Sequence, residues 1–271
     1  MHLHFFNQQH NNLNNSQTID KITPKKGKAK TIMKSSTPTT KGFTFKQFSI
    51  AAGDSGMPVS TDGVLLGAWA ACRSDGQILD IGTGTGLLAL MCAQRFCHAH
   101  ITALDIEPTA IAAAQDNFAQ SPWPERLALK HRDVQSYAPP VRFDSIVCNP
   151  PYFNSGEQAK QTQRAIARHT SSLPHDKLLE QCARLLTPDG SASFILPIIE
   201  GERFITMATN TGWHLTRRCQ VKPSTKKPVH RLLFELSRQA RPLQEENLTI
   251  HTQHGYSEAF IQLTRGFYLK M

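Results

Sequence analysis

A doubly wound, Rossmann-like α/β sheet finished by an antiparallel hairpin is the expected fold of this 271-residue chain. Three observations point to it. From Phe43 onward, short β-rich runs alternate with helical apolar patterns, as they do where helices cover a parallel sheet. A glycine-rich turn, Asp80-Ile-Gly82-Thr-Gly84-Thr-Gly86, follows the first of those strands. Near the end, two β-rich runs are joined by too few residues for a helix, so they pair antiparallel.

The elements follow in order. Thr61-Asp62 is read as the cap of a helix whose apolar positions Val64, Leu65, Ala68, Trp69 and Cys72 keep helical spacing. A strand at Gln77–Ile81 leads into a helix at Leu87–Phe96, and a strand at Ile101–Asp105 into a helix at Thr109–Phe118. Strands at Leu127–His131 and Phe143–Cys148 come next, then a helix near Asp176–Leu186, a strand at Ser191–Leu196 and a helix at Gly201–Thr211. The hairpin is Leu215–Val221 with Val229–Ser237, and Ser257–Tyr268 is the last helix. Residues 1–41 are rich in Asn and Gln, then in Lys, Thr and Ser, with no periodic apolar pattern. They are expected to be a disordered basic tail ahead of one domain, 42–271. Met33 is a second candidate start.

Composition narrows the class. With 39% hydrophobic and 19% charged residues, the chain can bury a core and is not disordered throughout. No apolar run approaches the roughly 18 residues of a membrane span, so no membrane partner is expected. The six cysteines include no CxxC pair and the twelve histidines do not cluster. That fits reduced thiols in the cytoplasm and no metal. The net charge of +9 is uneven: residues 1–41 carry +6, residues 217–241 carry +7, and the rest is −4. Two basic islands on a mildly acidic body suit an anionic polymer, although basic surface also serves solubility.

Glycines in a βα turn let the backbone approach a ligand beside the free N–H groups of a helix start. The spacing is G-x-G-x-G, and Asp80 precedes the first glycine. An acid there repels a pyrophosphate but can hold a cationic amino-acid group, which favours S-adenosyl-L-methionine over a dinucleotide; the other reading is that Asp80 only caps the turn. Asp105 ends the second strand, 19 residues after Gly86, where a carboxylate can accept ribose hydroxyls. Asp133, after the third strand, is a candidate acceptor for an adenine amino group. Acids at strand ends also serve as caps, so neither decides alone.

Asn149-Pro150-Pro151-Tyr152 follows the fourth strand. Asn-Pro is an ordinary turn starter, but here it stands at the carboxyl end of a strand beside the glycine loop. The lone pair of an adenine amino group is delocalised into the ring and is a poor nucleophile. Acceptors at Asn149 and Pro150 would take its two N–H bonds and favour a pyramidal nitrogen. The prolines stiffen the loop, and Tyr152 is placed to stack on the base.

These two motifs resemble those of class I, amino-directed S-adenosylmethionine methyltransferases. Further segments look like the bacterial tRNA(Val) adenine methyltransferase family: Phe43-Thr-Phe-Lys-Gln-Phe48, Thr61-Asp-Gly-Val-Leu-Leu-Gly-Ala-Trp69, Gln120-Ser-Pro-Trp123, Gly212-Trp-His-Leu215, Tyr256-Ser-Glu-Ala and Phe267-Tyr-Leu. The resemblance runs from about Gly42 to Met271. It implies seven strands with the last antiparallel, and methylation of the 6-amino group of adenosine 37 beside the anticodon of a valine tRNA. It also implies that Lys46 and Gln47 lie in a segment closing over the cofactor. The chain departs from the family in its N-terminal extension, and in Asp105 where relatives often have Glu. For RNA contact the expected residues are Arg217, Arg218, Lys222, Lys226, Lys227 and Arg231, in a protein acting as a monomer. Other readings are a methyltransferase for a different RNA adenine or for a protein glutamine amide, and an RNA-binding protein whose catalytic fold is a relic.

Overall fold

Strands that are hydrophobic on both sides need cover on both sides, and the central strands of this sheet have it. In the computed structural model, which describes residues 41–53, 58–151 and 173–270, a short hairpin comes first, β1 (Phe43–Thr44) with β2 (Ser49–Ile50). Then follow α1 (Thr61–Trp69), β3 (Gln77–Ile81), α2 (Leu87–Arg95), β4 (His100–Asp105), α3 (Pro108–Ala119), β5 (Leu127–His131) and β6 (Phe143–Cys148). The second half holds α4 (His175–Leu185), β7 (Leu186–Pro197), α5 (Ile198–Asn210), β8 (His214–Ser224), β9 (Arg231–Ser237), β10 (Gln244–Thr252), β11 (Gly255–Tyr256) and α6 (Glu258–Thr264). The expected tail, Met33 included, lies outside the described residues except for Lys41.

Alternate residues of each central strand feed two cores. Ile78, Val147, Ile195 and Leu233 join one with α1, α2 and α6, while Leu79, Ile146, Phe194 and Phe234 join the other with α4 and α5. The sheet order is β11-β10-β8-β9-β7-β6-β3-β4-β5. β3, β4, β5, β6 and β7 pair in parallel, whereas β9 runs against both β7 and β8. The seven expected strands are all present, and β9, the last of them in chain order, is the antiparallel one. Two more extend the edge: β10 pairs in parallel with β8, and β11 closes a small hairpin on β10.

Two boundaries differ from expectation. The cap of α1 is Ser60, whose Oγ accepts from the Gly63 N–H at 3.1 Å, while Thr61 is already helical. The helix also stops at Trp69, short of Cys72. Its glycines explain its seat on α2, since a Cβ at Gly67 would lie 2.5 Å from the Met91 sulfur. Four cysteines are buried, Cys72 is half-buried and Cys97 exposed. Among the described residues no helix is long and apolar enough to cross a membrane.

The register does the most for function. Ile81 on β3 stands opposite Leu104 on β4 and Cys148 on β6. The residues that follow, Gly82, Asp105 and Asn149, therefore stand at one level, at carboxyl ends and where strand order reverses, the usual crevice of such folds.

Candidate active site

The glycine loop is pinned to its neighbour strand, because the N–H groups of Gly82 and Thr83 both donate to the Leu104 carbonyl at 2.9 Å. Gly82, Gly84 and Gly86 have φ of +72°, +56° and +85°, a region that side chains disfavour. A Cβ on Gly82 or Gly84 would meet nothing within 4 Å, while one on Gly86 would lie 2.4 Å from the Phe118 ring of α3. So the first two glycines border open space and the third is clamped.

Asp80 is fully buried. Its Oδ2 accepts from Thr83 Oγ1 at 2.6 Å and from the Ala89 N–H at 3.2 Å. Oδ1 has no hydrogen-bond partner. Burial pushes the carboxyl up to about 7; the Thr83 bond opposes that rise and the nearby Asp105 charge adds to it. Asp80 thus does cap the turn, and it keeps one desolvated acceptor besides. A pyrophosphate would meet a repulsive carboxylate here, whereas a cationic amino-acid group supplies the missing donor. The residues present fit S-adenosylmethionine.

Asp105 is half-buried and also braces the loop. Its Oδ2 accepts from the Gly84 N–H at 2.8 Å and Oδ1 from the Glu107 N–H at 3.0 Å, which leaves each oxygen a second acceptor position. Beside it the Arg132 N–H bonds the Asp105 carbonyl at 3.0 Å. That brings Asp133 to the same edge, exposed, with Oδ1 accepting from the Gln135 N–H at 2.9 Å. Lys46 and Gln47 form the exposed turn of the β1–β2 hairpin. The Lys46 ammonium donates to the Arg265 carbonyl at 2.6 Å and its N–H to the Phe267 carbonyl at 2.8 Å, so this lysine is spent on docking the hairpin.

On the other side of β3, Asn149 is half-buried, Pro150 buried and Pro151 exposed. Each residue that precedes a proline is held extended, which fixes the Asn149 and Pro150 carbonyls. The Asn149 carboxamide has no hydrogen bond among the described residues. His175, the first residue of α4, packs edge-on against Phe204, with ring centroids 5.0 Å apart, and the Pro151 backbone favours its charged form. Burial lowers its pKa, against the Pro151 backbone and the charges of Asp176 and Glu200. Thr83 does not stand out in the sequence, because its bond to Asp80 is known only from the fold. Tyr152 lies outside the described residues.

The expected RNA-contact cations divide into two groups. Arg217 pairs with Glu246 at 3.1 Å and lies 4.1 Å over the Trp69 ring, whose Nε1 also bonds Glu246. Arg218 pairs with Glu202, and Arg231 with Asp62 at 2.8 Å. Lys222, Lys226 and Lys227 are exposed and have no ion-pair partner among the described residues.

Residues 62–196 match the family described as methyltransferase small domain. The chain is 67% identical to the tRNA1(Val) (adenine(37)-N6)-methyltransferase of Vibrio campbellii, over 88% of this chain and 100% of the relative. It is 64% identical to that of Vibrio parahaemolyticus over the same shares. Among solved structures, a predicted O-methyltransferase of Agrobacterium tumefaciens superposes with a TM-score of 0.57 at 20% identity, over 76% of this chain and 96% of that one. That last likeness speaks for the fold alone. The identity over 88% of the chain, with a glycine loop and an Asn-Pro-Pro segment side by side at the carboxyl edge, assigns the chain to the tRNA1(Val) (adenine(37)-N6)-methyltransferase family.

Proposed function

We propose that this protein transfers the methyl group of S-adenosylmethionine to the 6-amino group of adenosine 37 in tRNA1(Val), acting as a cytoplasmic monomer on the anticodon loop. The observation that carries the reading is the pairing of Ile81 with Cys148. It sets the start of the glycine loop and Asn149 just past the ends of adjacent strands, which run about 4.8 Å apart.

When bound, the cofactor supplies an electrophilic sulfonium methyl. Gly82 and Gly84 would give its amino-acid part close approach, Asp80 Oδ1 would accept from its ammonium, and the remaining acceptor positions of Asp105 would take ribose hydroxyls. Asp133, exposed at the same edge, would accept from the cofactor's adenine amino group. The target amino group donates one N–H to the Asn149 Oδ1 and the other to the Pro150 carbonyl, which withdraws its lone pair from the ring and aims it at the methyl carbon. Pro150 is buried and follows Asn149 directly, so its carbonyl is the backbone acceptor beside the carboxamide. The N–C bond forms as the C–S bond breaks. The alkylated nitrogen is then cationic and acidic and loses its proton to water without a side-chain base. Tyr152 stacks on the extruded base, a lower cost in a loop than in a duplex.

Lys222, Lys226 and Lys227 favour RNA over a glutamine-bearing protein, since β8 ends at the same edge as β6 and carries these cations towards a phosphate backbone. The test incubates the protein with labelled S-adenosylmethionine and total tRNA from a strain lacking the gene. Label in N6-methyladenosine at position 37 of valine tRNA is expected. Asn149→Ala should lower turnover about 10²–10³-fold with RNA binding kept. Label in protein alone, or unaltered turnover in that variant, overturns the reading.

A further inference from the structure

Helix α3 buries Ala110, Ala114, Asn117 and Phe118, the i, i+4, i+7, i+8 stripe of an amphipathic helix. One of the four is polar. Asn117 is only 3% exposed, and a buried carboxamide must find partners. It finds them in two segments remote from α3 and from each other. Its Oδ1 accepts from the Ala51 N–H at 2.9 Å, just after β2. Its Nδ2 donates to the Thr85 carbonyl at 2.8 Å, inside the glycine loop between Gly84 and Gly86. The next residue, Phe118, is the one that clamps Gly86.

A buried asparagine is commonly just a satisfied core residue. Two features separate this one from that role. Thr85 belongs to the loop read above as the cofactor cradle. Ala51 belongs to a segment otherwise anchored elsewhere: Lys46 to Arg265 and Phe267, Phe43 and Phe45 against Tyr268, and Phe48 edge-on to Trp123. The carboxamide is a polar link between this segment and the loop.

We infer that Asn117 is a positioning residue for the cofactor, holding the Thr85 carbonyl with one arm and the 43–53 segment with the other. Ordering of the glycine loop by a ligand is thereby passed to that segment. The inference rests on the methyltransferase reading. The two arms are chemically separable. Asn117→Asp keeps an acceptor for Ala51 and loses the donor to Thr85, whereas Asn117→Ala loses both.

The test measures S-adenosylhomocysteine binding by calorimetry, steady-state kinetics with tRNA, and hydrogen exchange with and without that ligand. Removing one partner from a buried hydrogen bond should raise the dissociation constant and the KM for S-adenosylmethionine about tenfold in both variants, with kcat within about twofold. In the wild type the ligand should slow exchange of the Ala51 amide. Asn117→Asp should keep basal protection at Ala51 but lose its response to ligand, and Asn117→Ala should lose both. Unchanged affinity in Asn117→Asp, or an Ala51 response that survives in either variant, overturns the inference even if thermal stability falls. Failure of the wild type to bind S-adenosylhomocysteine would instead overturn the reading on which it rests.

Discussion

The Arg231 Nε stands 2.8 Å from the Asp62 carboxylate, tying the start of β9 to the first turn of α1. Both side chains are mostly buried, 17% and 18% exposed. The pair therefore lies between a surface salt bridge and a buried one. Asp62→Ala should destabilise the protein by about 1–3 kcal/mol, read as a lower denaturant midpoint with an unchanged slope. The salt dependence of tRNA binding should not move with it.

Arg217 and Arg218 are likewise engaged by Glu246 and Glu202, while the three lysines of the hairpin are not. Replacing Lys222, Lys226 and Lys227 together by alanine should reduce the slope of log affinity against log salt by about 2–3 and leave the thermal midpoint near its original value. Arg217→Ala should do the reverse, lowering the midpoint with little change in slope, because Trp69 loses its cation and Glu246 its ion-pair partner. Filter binding at several ionic strengths, with thermal denaturation, separates the two outcomes.

The three glycines of the loop are not equivalent. Gly84→Ala should cost about 1–2 kcal/mol of stability, from its left-handed backbone alone, yet weaken cofactor binding strongly because its methyl enters the open space beside the loop. Gly86→Ala adds overlap with Phe118 and should cost about 2–4 kcal/mol. Comparing unfolding free energy with S-adenosylhomocysteine affinity in both variants checks the ordering.

Asp80 carries a pH signature. Its carboxyl titrates at 3.8 in an unperturbed chain and at about 7 in the fold. Between those values the native state binds more protons than the unfolded one, so this contribution to stability declines as pH rises from about 4 to 7 and is flat above. The full excursion is on the order of 4 kcal/mol. Asp80→Asn should remove that decline from the pH profile of stability and abolish tight cofactor binding. In the wild type, binding near pH 7 should release a fraction of a proton, because the ammonium lowers the carboxyl's pKa. Calorimetry in buffers of differing ionisation enthalpy reads it directly.

Most of the fold could be read from the chain because the inner strands are short apolar runs between helices of clear period. Strands β5 and β6 fall on the expected residues. β10 escaped because it lies near the edge of the sheet and, of its residues, Leu248 alone is buried. Its Gln-Glu-Glu-Asn start reads as loop, and charge of that kind also guards an edge against further pairing. Within the site, the glycine loop and Asn149-Pro150 show themselves by local spacing. What the sequence hides is partnership over distance: Asp62 lies 169 residues from Arg231, and Trp69 lies 177 from Glu246. Basic runs look alike whether they face phosphate or carboxylate, and only the fold distinguishes them.

The position of β8 also bears on how the molecule is built. Its two neighbours in the sheet, β9 and β10, both follow it in the chain. During synthesis β8 therefore has no edge to join until Arg231–Ser237 has emerged and docked on β7. Strands β3 to β7, which carry the glycine loop and Asn149, can assemble from residues already made. The lysine-bearing hairpin can therefore close only after the strands that carry the glycine loop and Asn149 have been made.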